Sequence, residues 1–348
     1  ALYNSDDDYG GRGIGRASEV TDMRREMSRQ NRAASFVATL LLAAAGPLLG
    51  QNGKVAGPVT GFVFDRAAGS LRPILGIPGA STMGDPLALG YQISSAVVAP
   101  KQDSAFAFGT DGSLHFLRLQ SGAASEVNCA ICPAGANGVV FSPSGTAAAI
   151  YSAGRVQVMT GLSATPAPGA GFALGRSASA PPMALSDDGV WLLAGTKNSV
   201  ELFNANGGPR QLMETLSNPM VAFAPGSHDA AIADGRAGVV WIHDVSGAAN
   251  PQQVAAPATP MRRYSGIAFS SDGKQLLTAV ASEGSVVSVD LATGTSTSTT
   301  CGCQPSELVP MGSLLRLNEM GSGPLWLFDG NGAPQPRVVF VPALVAAQ

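Results

Sequence analysis

A chain of 348 residues with 45% hydrophobic but only 13% charged residues, 43 Gly and 24 Pro, is rich in turns yet apolar enough to bury a core. That composition excludes an intrinsically disordered protein. The formal net charge of -3 supplies no basic field for holding a polyanion, so nucleic acid is not an expected partner.

Residues 1–26 include an acidic, Gly-rich stretch (SDDDYGGRG) and read as an upstream extension, with Met27 or Met23 as the start of the protein proper. Residues 27–50 read as a signal peptide: Arg29 and Arg32 precede an apolar run from Ala33 to Leu49, and Ala43, Ala45 and Gly50 provide small residues for cleavage. Cleavage after Ala45 and after Gly50 both fit. An uncleaved anchor is the alternative, because the run sits at the low edge of what spans a bilayer. Pro47 and the small-residue tail favour cleavage. The expectation is a periplasmic or extracellular protein, without a stable membrane span after cleavage, whose single domain occupies 51–348.

From Phe62 onward a unit of short alternating strands and turns recurs. Each unit ends in a glycine read as the turn between its last two strands: Gly69, Gly122, Gly161, Gly207, Gly247, Gly294 and Gly332. After a first interval of 53 residues the spacing runs 39, 46, 40, 47 and 38. A period of roughly 40–45 residues suits a blade of four antiparallel strands, a to d, in a β-propeller. Within units, GVVFSPSGTAAAIYS (138–152), MALSDDGVWLLAG (183–195) and GIAFSSDGKQLLTAV (266–280) place Ser, Pro, Asp and Gly between apolar alternations, as an a–b turn requires. Related turns lie at Pro100–Asp103, Pro225–Asp229 and Pro310–Gly312. The fold expected is therefore all-β, a propeller of seven four-stranded blades. Only six a–b turns accompany the seven terminal glycines, however. Either the first blade is incomplete and draws on residues 77–92, or the ring has six blades plus an extra hairpin. RVVFVPALV (337–345) is expected to close the ring beside the first unit.

VSVDLATGT (287–295) resembles the third strand and turn of YVTN-type propeller repeats, and the SPSG, SDDG and SSDG turns resemble those of bacterial WD-repeat-like blades. The resemblance covers about residues 58–342. It implies blade construction and is nearly silent on chemistry; the Gly-His and Trp-Asp hallmarks of intracellular WD-repeat scaffolds are mostly absent.

Four cysteines form two close pairs, Cys129/Cys132 and Cys301/Cys303, each between strand d of one unit and strand a of the next. In an exported protein close pairs oxidise, so two local disulfides are expected. A zinc site or redox activity is the sharper alternative. The three histidines, His115, His228 and His243, belong to different units without metal-ligand spacing, and no Gly-x-Ser-x-Gly elbow marks a nucleophile. No catalytic residue, metal or cofactor is expected.

In a propeller the b–c turns and d–a connections share one face. Here that face is expected to carry Asp111, Lys197, Asp234, Arg236, Glu283 and Glu319 from turns, with Arg262, Arg263 and Tyr264 from a connection. Guanidinium forks bind carboxylates or phosphates, and a neighbouring aromatic stacks on a sugar or ring. Arg236, Arg262, Arg263, Tyr264 and Glu319 are the binding candidates, although a merely solvated loop explains the same residues. The leading expectation is a monomeric, non-enzymatic module that binds a protein or a small anionic or carbohydrate ligand. A hydrolase or lactonase using Asp234, Glu283 or Glu319 is one alternative, and a scaffold in an envelope assembly is another.

Overall fold

The computed structural model describes residues 57–344 except 130, 197, 216–218, 236–237, 248–249, 256–263 and 333–334. The segments read as an upstream extension (1–26) and a signal peptide (27–50) lie outside the described residues. Seven antiparallel sheets follow one another along the chain, and their strands pair in sequence order. Blade 1 holds β1 (Val59–Asp65), β2 (Ser70–Ile77) and β3 (Ala80–Met83). Blade 2 holds β4 (Ile93–Val98), β5 (Ser104–Gly109), β6 (Leu114–Gln120) and β7 (Ala123–Val127). Blade 3 is built from β8 (Gly138–Phe141), β9 (Ala148–Ser152), β10 (Arg155–Thr160) and β11 (Ala167–Ala173). Blade 4 comprises β12 (Met183–Leu185), β13 (Trp191–Gly195), β14 (Ser199–Asn204) and β15 (Gly207–Glu214). Blade 5 comprises β16 (Met220–Phe223), β17 (Ala230–Asp234), β18 (Gly238–Ile242) and β19 (Pro251–Ala255). In blade 6 a short 3-10 turn (Ala281–Glu283) separates β20 (Tyr264–Phe269) and β21 (Gln275–Val280) from β22 (Ser285–Asp290) and β23 (Ser296–Thr300). Blade 7 closes the series with β24 (Val309–Met311), β25 (Leu314–Arg316), β26 (Leu325–Asp329) and β27 (Arg337–Val341). The protein is a seven-bladed β-propeller, as the repeat predicts.

The a–b turns form because their residues latch one another locally. In blade 4 the Ser186 hydroxyl donates to Asp188 at 2.5 Å, Asp188 accepts the Val190 N–H, and Ser186 Oγ accepts the Trp191 N–H. Blade 6 repeats the pattern with Ser270, Asp272, Lys274 and Gln275. Gly189 and Gly273 follow at φ 72° and 71°, a left-handed conformation that side chains resist.

Blade 1 differs from the others, and here one expectation is corrected. Gly69 does not mark a c–d turn. Its carbonyl accepts the N–H of Ile93 at the start of inner strand β4, and neighbouring Arg66 reaches Glu319 in the b–c turn of blade 7. Both contacts place the β1–β2 turn on the b–c face, so β1, β2 and β3 occupy positions b, c and d. Burial agrees: β2 is largely covered, as a c strand is, whereas β3 is mostly exposed or half-exposed, as d strands are. The true c–d turn of blade 1 is at Gly79, 43 residues before Gly122, and the anomalous interval of 53 disappears. Residues 77–92 do contribute to blade 1, through β3.

Among the described residues blade 1 therefore contributes no inner strand. At that position Gln102, from the a–b turn of blade 2, inserts its side chain, and Oε1 accepts the Phe62 N–H at 2.8 Å. The flanking a–b turns meet directly, with the Gly312 N–H donating to the Pro100 carbonyl at 2.7 Å. Gly61 makes this approach possible, since a Cβ there would lie 2.7 Å from the Met311 side chain. β27 is the outer strand of blade 7 and lies against β3, so the chain's last strand does stand beside the first blade.

Each sheet buries both faces against its neighbours, which is why no blade is stable alone. Between blades 3 and 4, for example, Tyr151, Val158 and Phe172 pack with Leu185, Leu192 and Phe203. The inner strands of blades 2 to 7 surround a central channel of about 660 Å3.

Candidate binding face

The b–c turns and d–a connections lie on one face, as expected. Of the five binding candidates, Arg236, Arg262 and Arg263 lie outside the described residues. Tyr264 opens inner strand β20 and is half-buried. Glu319 is exposed in the b–c turn of blade 7 and forms a loose 3.7 Å pair with Arg66. The solvated character of that pair leaves both side chains available at the seam between blades 7 and 1.

The carboxylates proposed for hydrolysis have unlike environments. Asp234 ends β17 at 2% exposure, Glu283 sits in the 3-10 turn of blade 6, and Glu319 is out in solvent. Among the described residues no group of three or more His, Cys, Asp or Glu side chains is placed to hold a metal ion.

Both cysteine pairs are disulfide-bonded, with Cα atoms 5.3 Å apart for Cys129–Cys132 and 5.1 Å for Cys301–Cys303. Each staples a d–a connection, one between blades 2 and 3 and the other between blades 6 and 7. They also anchor these connections to the interior: Cys129, Ile131 and Cys132 pack on the core around Phe106 and Phe141, and Cys301 is 6% exposed beside Leu308 and Leu317.

Blade 2 carries a polar cluster that the sequence reading missed. His115 there is engaged at both ring nitrogens: Nε2 lies 2.7 Å from Ser113 Oγ and Nδ1 2.7 Å from Glu126 Oε1. Its ring stacks on Tyr91 at 4.1 Å. Asp111, in the b–c turn, accepts both the Ser113 N–H and its hydroxyl proton, and these bonds hold its carboxyl below the usual range. Burial, reinforced by the negative charge of Glu126, pushes the Tyr91 phenol up to about 12. The spacing mimics a Ser-His-acid triad, with a second acid, Asp111, on the serine. The single Ser113 hydroxyl proton has two neighbours, Asp111 Oδ1 and His115 Nε2: a ring protonated on Nδ1 toward Glu126 can accept it, while a bond to Asp111 directs it away from the ring. The cluster orders a turn on the face. The one available signal was the spacing Asp-x-Ser-x-His at a b–c turn; its Glu126 partner comes from the adjacent strand β7.

The opposite face, formed by a–b and c–d turns, is knitted together across blades. Asp187 accepts the Ser144 N–H of blade 3 at 2.7 Å and the Gly226 N–H of blade 5 at 2.8 Å, so one carboxylate spans three blades. Next to it, Asp188 pairs with His228 of blade 5 at 2.8 Å. Burial opposes ionisation of Asp188, yet the bonds from Ser186, the Val190 N–H and His228 together hold its carboxyl below the usual range. His228 is two-thirds covered.

Among the described residues no helix is long and apolar enough to cross a membrane. No family model matches the sequence, and no curated protein matches it. Solved structures match at the level of fold. A functionally unknown protein from Desulfotomaculum acetoxidans is 14% identical with a TM-score of 0.54, over 82% of this chain and 100% of that one. A protein from Lactobacillus plantarum is likewise 14% identical with a TM-score of 0.54, over 81% and 96%. The β-propeller domain of Cps50 (Swd1) from Myceliophteria thermophila is 15% identical with a TM-score of 0.44, over 59% and 71%.

Proposed function

We propose that this propeller is exported and acts as a non-enzymatic binding module, receiving a protein or a small anionic or carbohydrate ligand on its b–c and d–a face. The observation that carries this reading is the pair of disulfides, each stapling a connection of that one face. Such bonds persist in the periplasm or outside the cell and are rare in a reducing cytosol. Rigid connections also lower the entropy lost when a ligand is bound. Asp234 is buried in blade 5 whereas Glu283 and Glu319 are exposed on blades 6 and 7, and these unlike settings support binding over hydrolysis. The test is to isolate the protein from its source without reductant, locate it by fractionation, and count accessible thiols after unfolding. The expected result is recovery outside the cytoplasm with no free thiol. Cytoplasmic protein with four free thiols overturns the reading.

A scaffold role in an envelope assembly is the second reading. It is favoured by the exposed apolar side chains Ile77 and Phe340, at 60% and 50% exposure, on adjoining blades 1 and 7. Sedimentation of native extracts separates the two: a scaffold travels in a large stable complex, whereas a binding module is released by modest salt.

A further inference from the structure

We propose that the central channel binds a single-chain amphiphile with an anionic head, of the fatty-acid type, with its head at the a–b face. This site is separate from the binding face above and does not rest on it. Four observations carry the inference. The walls between inner strands are aliphatic, with Val140, Met183, Val221, Ile267 and Val309 bordering the space. The volume of about 660 Å3 falls in the range of small-molecule sites, which are mostly apolar with a few placed polar groups.

The third observation is charge. Among the described residues Lys101 is the one charged residue lining the channel and no carboxylate lines it, while Ser144 and Ser270 add neutral hydroxyls at the same end. This is unexpected in a chain of net charge -3. The acidic groups of that face are engaged elsewhere: Asp187 with two backbone N–H groups, Asp188 with Ser186, Val190 and His228, and Asp272 with Ser270 and Lys274. Lys101 forms no ion pair with a described residue. The fourth observation is position. The turn carrying Lys101 is pinned by the Gln102 N–H to the Ala99 carbonyl and by the Gly312 N–H to the Pro100 carbonyl, so the backbone from which the lysine extends is fixed at the mouth. An apolar tube with one cation at its rim selects a molecule with a hydrocarbon tail and a carboxylate, and discriminates against a cationic head.

The experiment is calorimetric titration of the delipidated full chain with laurate, dodecanol and dodecylamine, each below its micelle concentration. The expected result is one saturable site for laurate, binding at least about tenfold weaker for dodecanol, and weaker still for dodecylamine. Lys101→Glu should remove the preference for laurate and raise affinity for dodecylamine. Val221→Phe, which narrows the channel, should weaken all three ligands. Equal affinity for laurate and dodecanol, an unchanged laurate affinity in Lys101→Glu, or no saturable binding overturns the proposal. If Val221→Phe does not fold, Lys101→Glu, at an exposed turn position, still decides it.

Discussion

The two faces of the ring use the same residue types for different ends. On the a–b face, Asp187 and Asp188 reach across to blades 3 and 5, and the turns of blades 7 and 2 meet in front of blade 1. On the b–c face, Asp111 and Glu126 are spent within blade 2, and the connections are stiffened by disulfides. Carboxylates that bridge blades help hold the ring together, whereas on the b–c face Asp111 and Glu126 serve their own blade and the Arg66–Glu319 pair that crosses blades is loose and exposed. Substitutions on the a–b face should therefore cost stability and spare binding at the other face.

The largest effect is expected at the closure. Gly61→Val places a side chain against Met311 and Gln102, and overpacking there should cost roughly 2–3 kcal/mol in urea unfolding. Next, Asp187→Ala leaves the Ser144 and Gly226 N–H groups without their acceptor and should cost about 2 kcal/mol, with Asp187→Asn milder. Gln102→Ala removes the acceptor for the Phe62 N–H and should cost about 1 kcal/mol. Gln102 sits at φ 63°, so Gln102→Gly should be less damaging by a few tenths of a kcal/mol despite losing the same bond. If the two substitutions are equal, backbone strain plays no part there.

The smallest effect is a pH dependence. The Asp188 carboxyl is held below its ordinary value of 3.8, so its contribution is present above that pH and is lost as pH falls through the depressed value. Unfolding curves of wild type and Asp188→Asn should thus converge in strong acid and diverge toward neutrality. Parallel curves over the whole range would remove Asp188 from the clasp.

What could be read from the sequence was what short segments determine. Ser-x-Asp-Gly turns latch themselves within five residues, and cysteines two or three apart have no nearer partner, so both could be placed from sequence. Position within a blade could not. The β1–β2 turn uses Asp65 to accept the N–H groups of Ala67 and Ala68, just as Asp290 accepts those of Ala292 and Thr293 in a true c–d turn. Local chemistry is the same in both; only pairing with distant strands distinguishes them. The bridging role of Asp187 was hidden for a similar reason, because its partners lie 43 and 39 residues away. On the binding face, Tyr264 and Glu319 could be assigned to a face by counting strands, but the pairing of Glu319 with Arg66 depends on ring closure and could not be anticipated.

The central claim, that the b–c and d–a face binds while the a–b face holds the ring, is tested most directly by affinity capture from envelope extract of the source with salt-step elution. Wild type should be compared with Tyr264→Ala/Glu319→Lys and with Asp187→Asn. The account predicts a stoichiometric partner that is lost in the first variant and retained in the second. A protein that emerges alone and turns over esters or lactones would contradict it.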